Sequence, residues 1–239
     1  MKKMTKLLVA LLLIATSFTT PISANKEISS DEMQEQINAM EQKYMQEHDI
    51  KNHEDFTNEQ ILELVDLINE YKSNVYSNND IAKKQTRGLH YHSGDIFVTL
   101  DASKTFFEDV VWDHGHAGIG GWIYGDVIEA NPGDGVNYYN NRYGYWNSRK
   151  NGGVYKVRNA VDPEYETAMI YAEDRVGLSY GFDATSDQDF YCSELVYYAW
   201  KDAGYDLDNN RIPGTFILPK YLMMDADVVL DTSFPNGSK

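Results

Sequence analysis

Asp189-Phe190-Tyr191-Cys192-Ser193-Glu194-Leu195-Val196 holds the only cysteine of the 239-residue chain. Leu195, Ala199 and Ala203 follow at helical spacing, so a helix is expected from Tyr191 to about Ala203, stopped by Gly204. Cys192 then lies in the first turn, where unpaired backbone N–H groups and the positive end of the helix dipole favour a thiolate. The same N–H groups suit an oxyanion. A structural cysteine would sit more naturally in mid-helix on the apolar stripe, whereas this placement favours a thiol kept for chemistry.

A thiolate nucleophile needs a base, and the chain has six histidines. His48 and His53 lie in a polar helical region, and His90 and His92 at the edge of a linker. His114 and His116 occur in Asp113-His114-Gly115-His116-Ala117-Gly118-Ile119, at the start of an expected strand. His116 is the better placed, because the small residues after it let another element approach closely. A third group usually orients the imidazole. If His116–Ile119 pairs with Asp126–Glu129 across the glycine-rich loop Gly120–Gly125, residues whose numbers sum to 245 face each other, and Glu129 falls opposite His116. A slip of one residue would turn Glu129 to the other face, where it would be an ordinary exposed carboxylate.

Around this centre the chain divides in three. Residues 1–24 read as a secretory signal: Lys2, Lys3 and Lys6, an apolar run from Leu7 to Ala15, and Ile22-Ser23-Ala24 as a small-residue cleavage site. The run is too short to span a bilayer, and no cysteine follows it to take a lipid, so no stable membrane insertion is expected after cleavage. Residues 25–87 form a helical segment and linker. Ser29 with Glu32, and Thr57 with Gln60, fit the capping box that opens a helix. Met33, Ile37, Met40 and Tyr44 share one face of the first helix; Ile61, Leu64, Val65, Ile68 and Tyr71 share one face of the second. Ser73 to Arg87 reads as linker. Residues 88–239 turn to short strands (Ile96 to Leu100, Val154 to Val157, Val228 to Leu230) interrupted by a helix from Glu164 to about Val176 and by the cysteine helix. The fold class is α+β, with a largely antiparallel sheet and packed helices. The tyrosine-rich stretch Tyr138 to Trp146 reads as an irregular loop.

Composition narrows the partners. The formal charge of −16 becomes −19 once residues 1–24, with three lysines and no acids, are removed. Such a surface repels phosphate backbones, so no nucleic acid is expected. A secreted chain with one cysteine has no internal disulfide.

Gly94-Asp95-Ile96, His116-Ala117-Gly118-Ile119, Val127-Ile128-Glu129-Ala130 and Phe190-Tyr191-Cys192-Ser193-Glu194-Leu195-Val196, in that order, resemble the circularly permuted branch of the NlpC-type papain-like hydrolases, the YiiX-like and YycO-like proteins. The histidine strand precedes the cysteine helix here, the reverse of the ordinary NlpC-type order. The resemblance covers about Gly88 to Leu230 and leaves the N-terminal helices unexplained. It implies a permuted papain-like domain with Cys192 as nucleophile, His116 as base and Glu129 as third residue. It also implies a cysteine peptidase or amidase acting through an acyl-enzyme on cell-wall or other small peptides, without metal or organic cofactor; the secretory signal sets the expected location, at the bacterial cell envelope or outside the cell. Relatives of this fold also act on lipid esters or move acyl groups.

Two rivals have residues of their own. His114 and His116 at i, i+2, with Asp113 and Cys192, would serve metal-assisted hydrolysis, although no HExxH or paired-cysteine spacing accompanies them. A papain-like module without turnover would use the Tyr138–Trp146 rings as a contact surface.

Overall fold

The computed structural model describes residues 28–77, 93–101, 115–182, 187–208 and 216–234. The expected signal at 1–24, most of the expected linker, and His90, His92, Asp113 and His114 lie outside them.

Two helices open the chain: α1, Ser30–Glu47, and α2, Asn58–Ser77. Both capping boxes form. The Ser29 hydroxyl accepts from the Glu32 N–H at 3.2 Å, and the Thr57 hydroxyl from the Gln60 N–H at 3.3 Å. Helix α2 runs through Ser73, where a linker was expected, because Tyr76 is buried in the core and its hydroxyl donates to the Ala226 carbonyl at 2.9 Å. Tertiary packing here overrides a polar local pattern.

Strands β1 (Ile96–Thr99), β2 (His116–Gly120), β3 (Val127–Asn131) and β4 (Gly135–Tyr139) follow, then the short helix α3 (Tyr143–Asn147). Next come β5 (Gly152–Val157), α4 (Asp162–Glu173), and the two-residue strands β6 (Ser179–Tyr180) and β7 (Asp189–Phe190). Helices α5 (Cys192–Asp202) and α6 (Pro219–Met224) and strand β8 (Val228–Ser233) complete the order. The main sheet runs β4-β3-β2-β1-β5-β8, every neighbouring pair antiparallel, and β6 pairs with β7 in parallel. The α+β expectation is met. The Tyr138–Trp146 stretch is not an irregular loop: it contributes the end of β4, paired with β3, and most of α3.

Alternation along the strands gives the sheet two apolar faces. Ile96, Val98, Ala117, Ile119, Ile128 and Ala130 join Leu195, Val196 and Ala199 of α5 in the main core. That core also takes in Met33 and Ile37 of α1 and Leu64, Val65 and Ile68 of α2. Phe97, Val127 and Val154 point the other way and pack with Trp146 and Phe234. Helix α2 rests on α6 and β8. Its Lys72 is buried, its ammonium donating to the carbonyls of Met223 at 3.1 Å, Asp225 at 2.5 Å and Val228 at 2.8 Å. No helix among the described residues is long and apolar enough to cross a membrane.

Candidate active site

Cys192 is the first residue of α5, with Tyr191 as N-cap in extended conformation. The Glu194 carboxylate accepts from the Tyr191 N–H at 3.4 Å, and the Ser193 hydroxyl donates to the Ile217 carbonyl at 2.6 Å, fixing the first turn. Leu195, Val196, Ala199 and Trp200 anchor the helix in the core beneath. Its N-terminus thus meets the end of the sheet at which β2 begins, and the Ala117 backbone N–H there favours the charged form of Cys192.

His116 opens β2. Gly115 before it has φ +88°, and a Cβ there would lie 2.0 Å from the Thr99 carbonyl oxygen, so only glycine makes this entry into the strand. The His116 ring is buried, lies parallel to Trp146 with centroids 5.4 Å apart, and meets Tyr145 edge-on at 6.5 Å. Its Nε2 is 2.9 Å from Glu129 Oε2. Glu129 takes Nε2 and so leaves Nδ1 as the nitrogen free to serve Cys192, whose thiol and the imidazole act on each other electrostatically.

The register that places Glu129 differs from the expected one. Ile119 pairs with Ile128 and Gly120 with Val127, so facing numbers sum to 247, not 245. Continued along the strands, this register sets Glu129 across from Gly118 and Asn131 across from His116. A displacement of two residues preserves the face, and the carboxylate reaches His116 diagonally. Gly118 is what leaves the path open. A Cβ on it would come within 3.0 Å of Glu129 Cγ, 2.7 Å of Val127 Cγ1 and 3.2 Å of Trp146 Cζ2.

Glu129 is wholly buried, and four side chains converge on it. Besides His116, Trp146 Nε1 donates at 2.9 Å, Asn131 Nδ2 at 3.1 Å, and Arg142 through Nε at 3.1 Å and a longer Nη2 contact at 3.4 Å. Burial alone would raise its pKa. The hydrogen bond and charge of His116, reinforced by Arg142, outweigh it and hold the carboxyl down at about 2. For His116 burial opposes the charged form, but hydrogen bonds and charge from Cys192 and Glu129 carry the pKa well above its usual value. For Cys192 burial raises the pKa, and the His116 hydrogen bond and charge, with the Ala117 N–H, bring it below that of an ordinary thiol. The three groups therefore favour a thiolate, an imidazolium and a carboxylate together.

Cys192, His116 and Glu129, singled out in the sequence, are brought into one chain of contacts. Asn131, Arg142 and Trp146 were not anticipated. Asn131 had a legible signal, lying two residues from Glu129 on the same strand face. Arg142 and Trp146 reach Glu129 only because β4 and α3 fold back over β3. Tyr180 was also missed. The pairing of Tyr180 with Phe190 brings its phenol beside Cys192, and burial together with the thiolate's charge pushes its pKa up. Among the described residues no group of three or more His, Cys, Asp or Glu side chains is arranged to hold a metal ion.

Searches of curated proteins and of solved structures returned no match. The model of one family does match, described as permuted papain-like amidase enzyme, YaeF/YiiX, C92 family, and it spans residues 90–236. That span is more than half of the chain and contains the histidine strand, the glutamate strand and the cysteine helix in permuted order. The chain accordingly belongs to the permuted papain-like amidase family, and it is a cysteine peptidase or amidase hydrolase of the α+β, papain-like kind.

Proposed function

We propose that the protein hydrolyses an amide bond in a cell-wall peptide or a related small peptide, outside the cell, through a Cys192–His116–Glu129 acyl-enzyme mechanism. The observation that carries this reading is His116 held between the thiol and a buried carboxylate, Nε2 to Oε2 at 2.9 Å. Cys192 Sγ attacks the carbonyl carbon as thiolate, and the resulting oxyanion meets the N–H groups at the start of α5. His116 passes its proton to the leaving nitrogen, the C–N bond breaks, and a thioester remains. Water then attacks the thioester, giving its proton to His116, and the C–S bond breaks to restore the thiolate and release the carboxylic acid. Glu129 takes no proton; it keeps the ring oriented and stabilises its charge.

Export is supported by the basic and then apolar residues 1–24, and a peptide substrate by the amidase family. A second reading, on a lipid ester or another apolar acyl group, draws on the rings near the nucleophile. Phe182 stacks on Tyr191 at 5.3 Å and meets Phe216 at 5.9 Å, while remaining 37% exposed.

The test is iodoacetamide alkylation of Cys192 against pH in residues 25–239, with and without His116→Ala, beside hydrolysis of a panel of peptide amides and fatty-acyl esters. Fast modification well below the free-thiol pKa of about 8.5, lost with His116→Ala, and amide hydrolysis abolished by Cys192→Ala are the expected results. Slow modification indifferent to His116 would remove the mechanism, and ester cleavage without amide cleavage would favour the second reading.

A further inference from the structure

Four arginines lie among the described residues, and three are engaged by oxygen. Arg142 binds Glu129, Arg158 binds Asp227 and Ser30, and Arg175 donates to the Tyr171 carbonyl at 2.8 Å. Arg149 is the exception. Its Nε is buried without a hydrogen-bond partner, a costly arrangement for a charged donor unless something arrives to accept it. The guanidinium carbon lies 3.9 Å from the centre of the Tyr145 ring. That ring lies edge-on to His116 at 6.5 Å, so the unpaired cation stands one aromatic side chain away from the imidazole.

Among the described residues, the neighbouring charges do not neutralise it. Arg142 lies 3.9 Å from the same ring, adding positive potential, and its own carboxylate, Glu129, is occupied by four donors. Asp101, the nearby carboxylate across the strand ends, is committed to the Lys150 N–H and the Asn151 amide, both at 2.7 Å. In a chain of formal charge −16, which repels anions at long range, a local unpaired guanidinium beside the site is the feature able to select one at contact.

We propose that Arg149, backed by Tyr145, is the specificity residue that takes a free carboxylate on the substrate, one or two residues from the scissile amide. This rests on the amidase reading of Cys192 and His116. The Tyr145 centroid lies 6.5 Å from that of His116 and 3.9 Å from the Arg149 guanidinium carbon, so the two are no more than about 10 Å apart; an extended chain advances about 3.3–3.6 Å per residue, and one or two residues ending in a carboxylate fall within that reach. The substrate class is an acylated amino acid or short peptide with an unblocked carboxylate, and the guanidinium, a planar fork of donors, would bind it bidentately.

The test uses alkylating probes of Cys192, so that it does not depend on turnover: chloroacetyl-glycine and chloroacetyl-diglycine, each against its carboxamide, on residues 25–239. The Cys192 S–C bond forms and chloride leaves. The expected result is a preference for the carboxylate on the order of tenfold at one or both lengths, as saturable labelling with a lower half-saturation concentration. It should vanish in Arg149→Gln, return in part in Arg149→Lys, and leave labelling by the carboxamides unchanged. A preference that survives in Arg149→Gln, no preference in the unaltered protein, or equal loss with both kinds of probe would overturn the assignment. Failure of the amidase reading shows separately, as carboxamide labelling that is slow and indifferent to His116→Ala.

Discussion

Replacing Glu129 with glutamine keeps the shape of the buried network and removes the charge that steadies the His116 imidazolium. The pair should then hold its ionic form over a narrower range. In the unaltered protein the Cys192 pKa is lowered and the His116 pKa raised, so kcat/KM should be bell-shaped, rising at a pH below about 8.5 and falling well above 6.5. In Glu129→Gln the alkaline limb should move down, because imidazolium is less favoured, and the acid limb up, because a less basic His116 supports less thiolate. The plateau should drop on the order of 10- to 100-fold, less than the loss of about 10⁴ known for a serine triad, since a thiolate is a nucleophile in its own right. A pH profile of kcat/KM in both proteins measures this, and unmoved limbs would show that Glu129 does not act on His116. Gly118→Ala tests the same contact by shape. The added methyl meets Val127, Glu129 and Trp146 at 2.7–3.2 Å, and should cost about 1–3 kcal/mol in urea unfolding as well as displacing the carboxylate. At this scale Cys192 and His116 were legible as candidates, because a helix-opening cysteine and a histidine followed by small residues are local signals; Glu129 was reached through a register two residues off, which kept its face. The cage around Glu129 was not, since Arg142 and Trp146 acquire their meaning only from the path of β4 and α3.

At the scale of elements, the error over β2 and β3 is informative. A register displaced by two residues leaves every side chain on its face, so hydrophobic alternation cannot separate 245 from 247. The turn decides it, through bonds such as the Gly121 N–H to the Asp126 carbonyl at 2.9 Å, which a glycine-rich loop does not announce. The junction of α2 with α6 and β8 was likewise invisible, because Lys72 reads as an exposed residue of a polar helix. Lys72→Met should destabilise the protein by about 2–4 kcal/mol, since three buried carbonyls lose their donor. The pH dependence adds a signature. Burial lowers the Lys72 pKa to about 7, against the pull of Asp225 and Asp227, from about 10.4 in an unfolded chain. Between those values the unfolded state binds more protons, so the Lys72 contribution to stability grows as pH rises through this window. The stability gap between the unaltered protein and Lys72→Met should accordingly be larger at pH 9 than at pH 7 by chemical denaturation. A gap that stays constant over that interval would mean the ammonium remains fully charged in its carbonyl cage.

For the whole molecule, the question is whether the N-terminal helices belong to the hydrolase or cover it. Apolar stripes in the sequence served either role equally, because a helix face says that something will be buried and not against what. In the structure α2 meets β8, at the edge of the sheet remote from β3 and β4, and both helices share the main apolar cluster with the strands and α5. Polar contacts bind the same junction: Gln34 accepts from the Ala226 N–H at 2.9 Å, and the Ser30 hydroxyl donates to Asp227 at 2.6 Å. Helices held this way act as part of the fold, and removing them would expose apolar side chains of the shared cluster on the strands and helices that remain. A protease site introduced between residues 80 and 90, and cut, should therefore leave two pieces that migrate together in native size exclusion and unfold in one transition. Alkylation of Cys192 should keep its rate after the cut, because the site does not depend on release. Separation of the pieces with faster alkylation would mark residues 25–87 as a removable cover and contradict the shared core; separation with precipitation of the larger piece would agree with it, the helices being needed to keep that core closed.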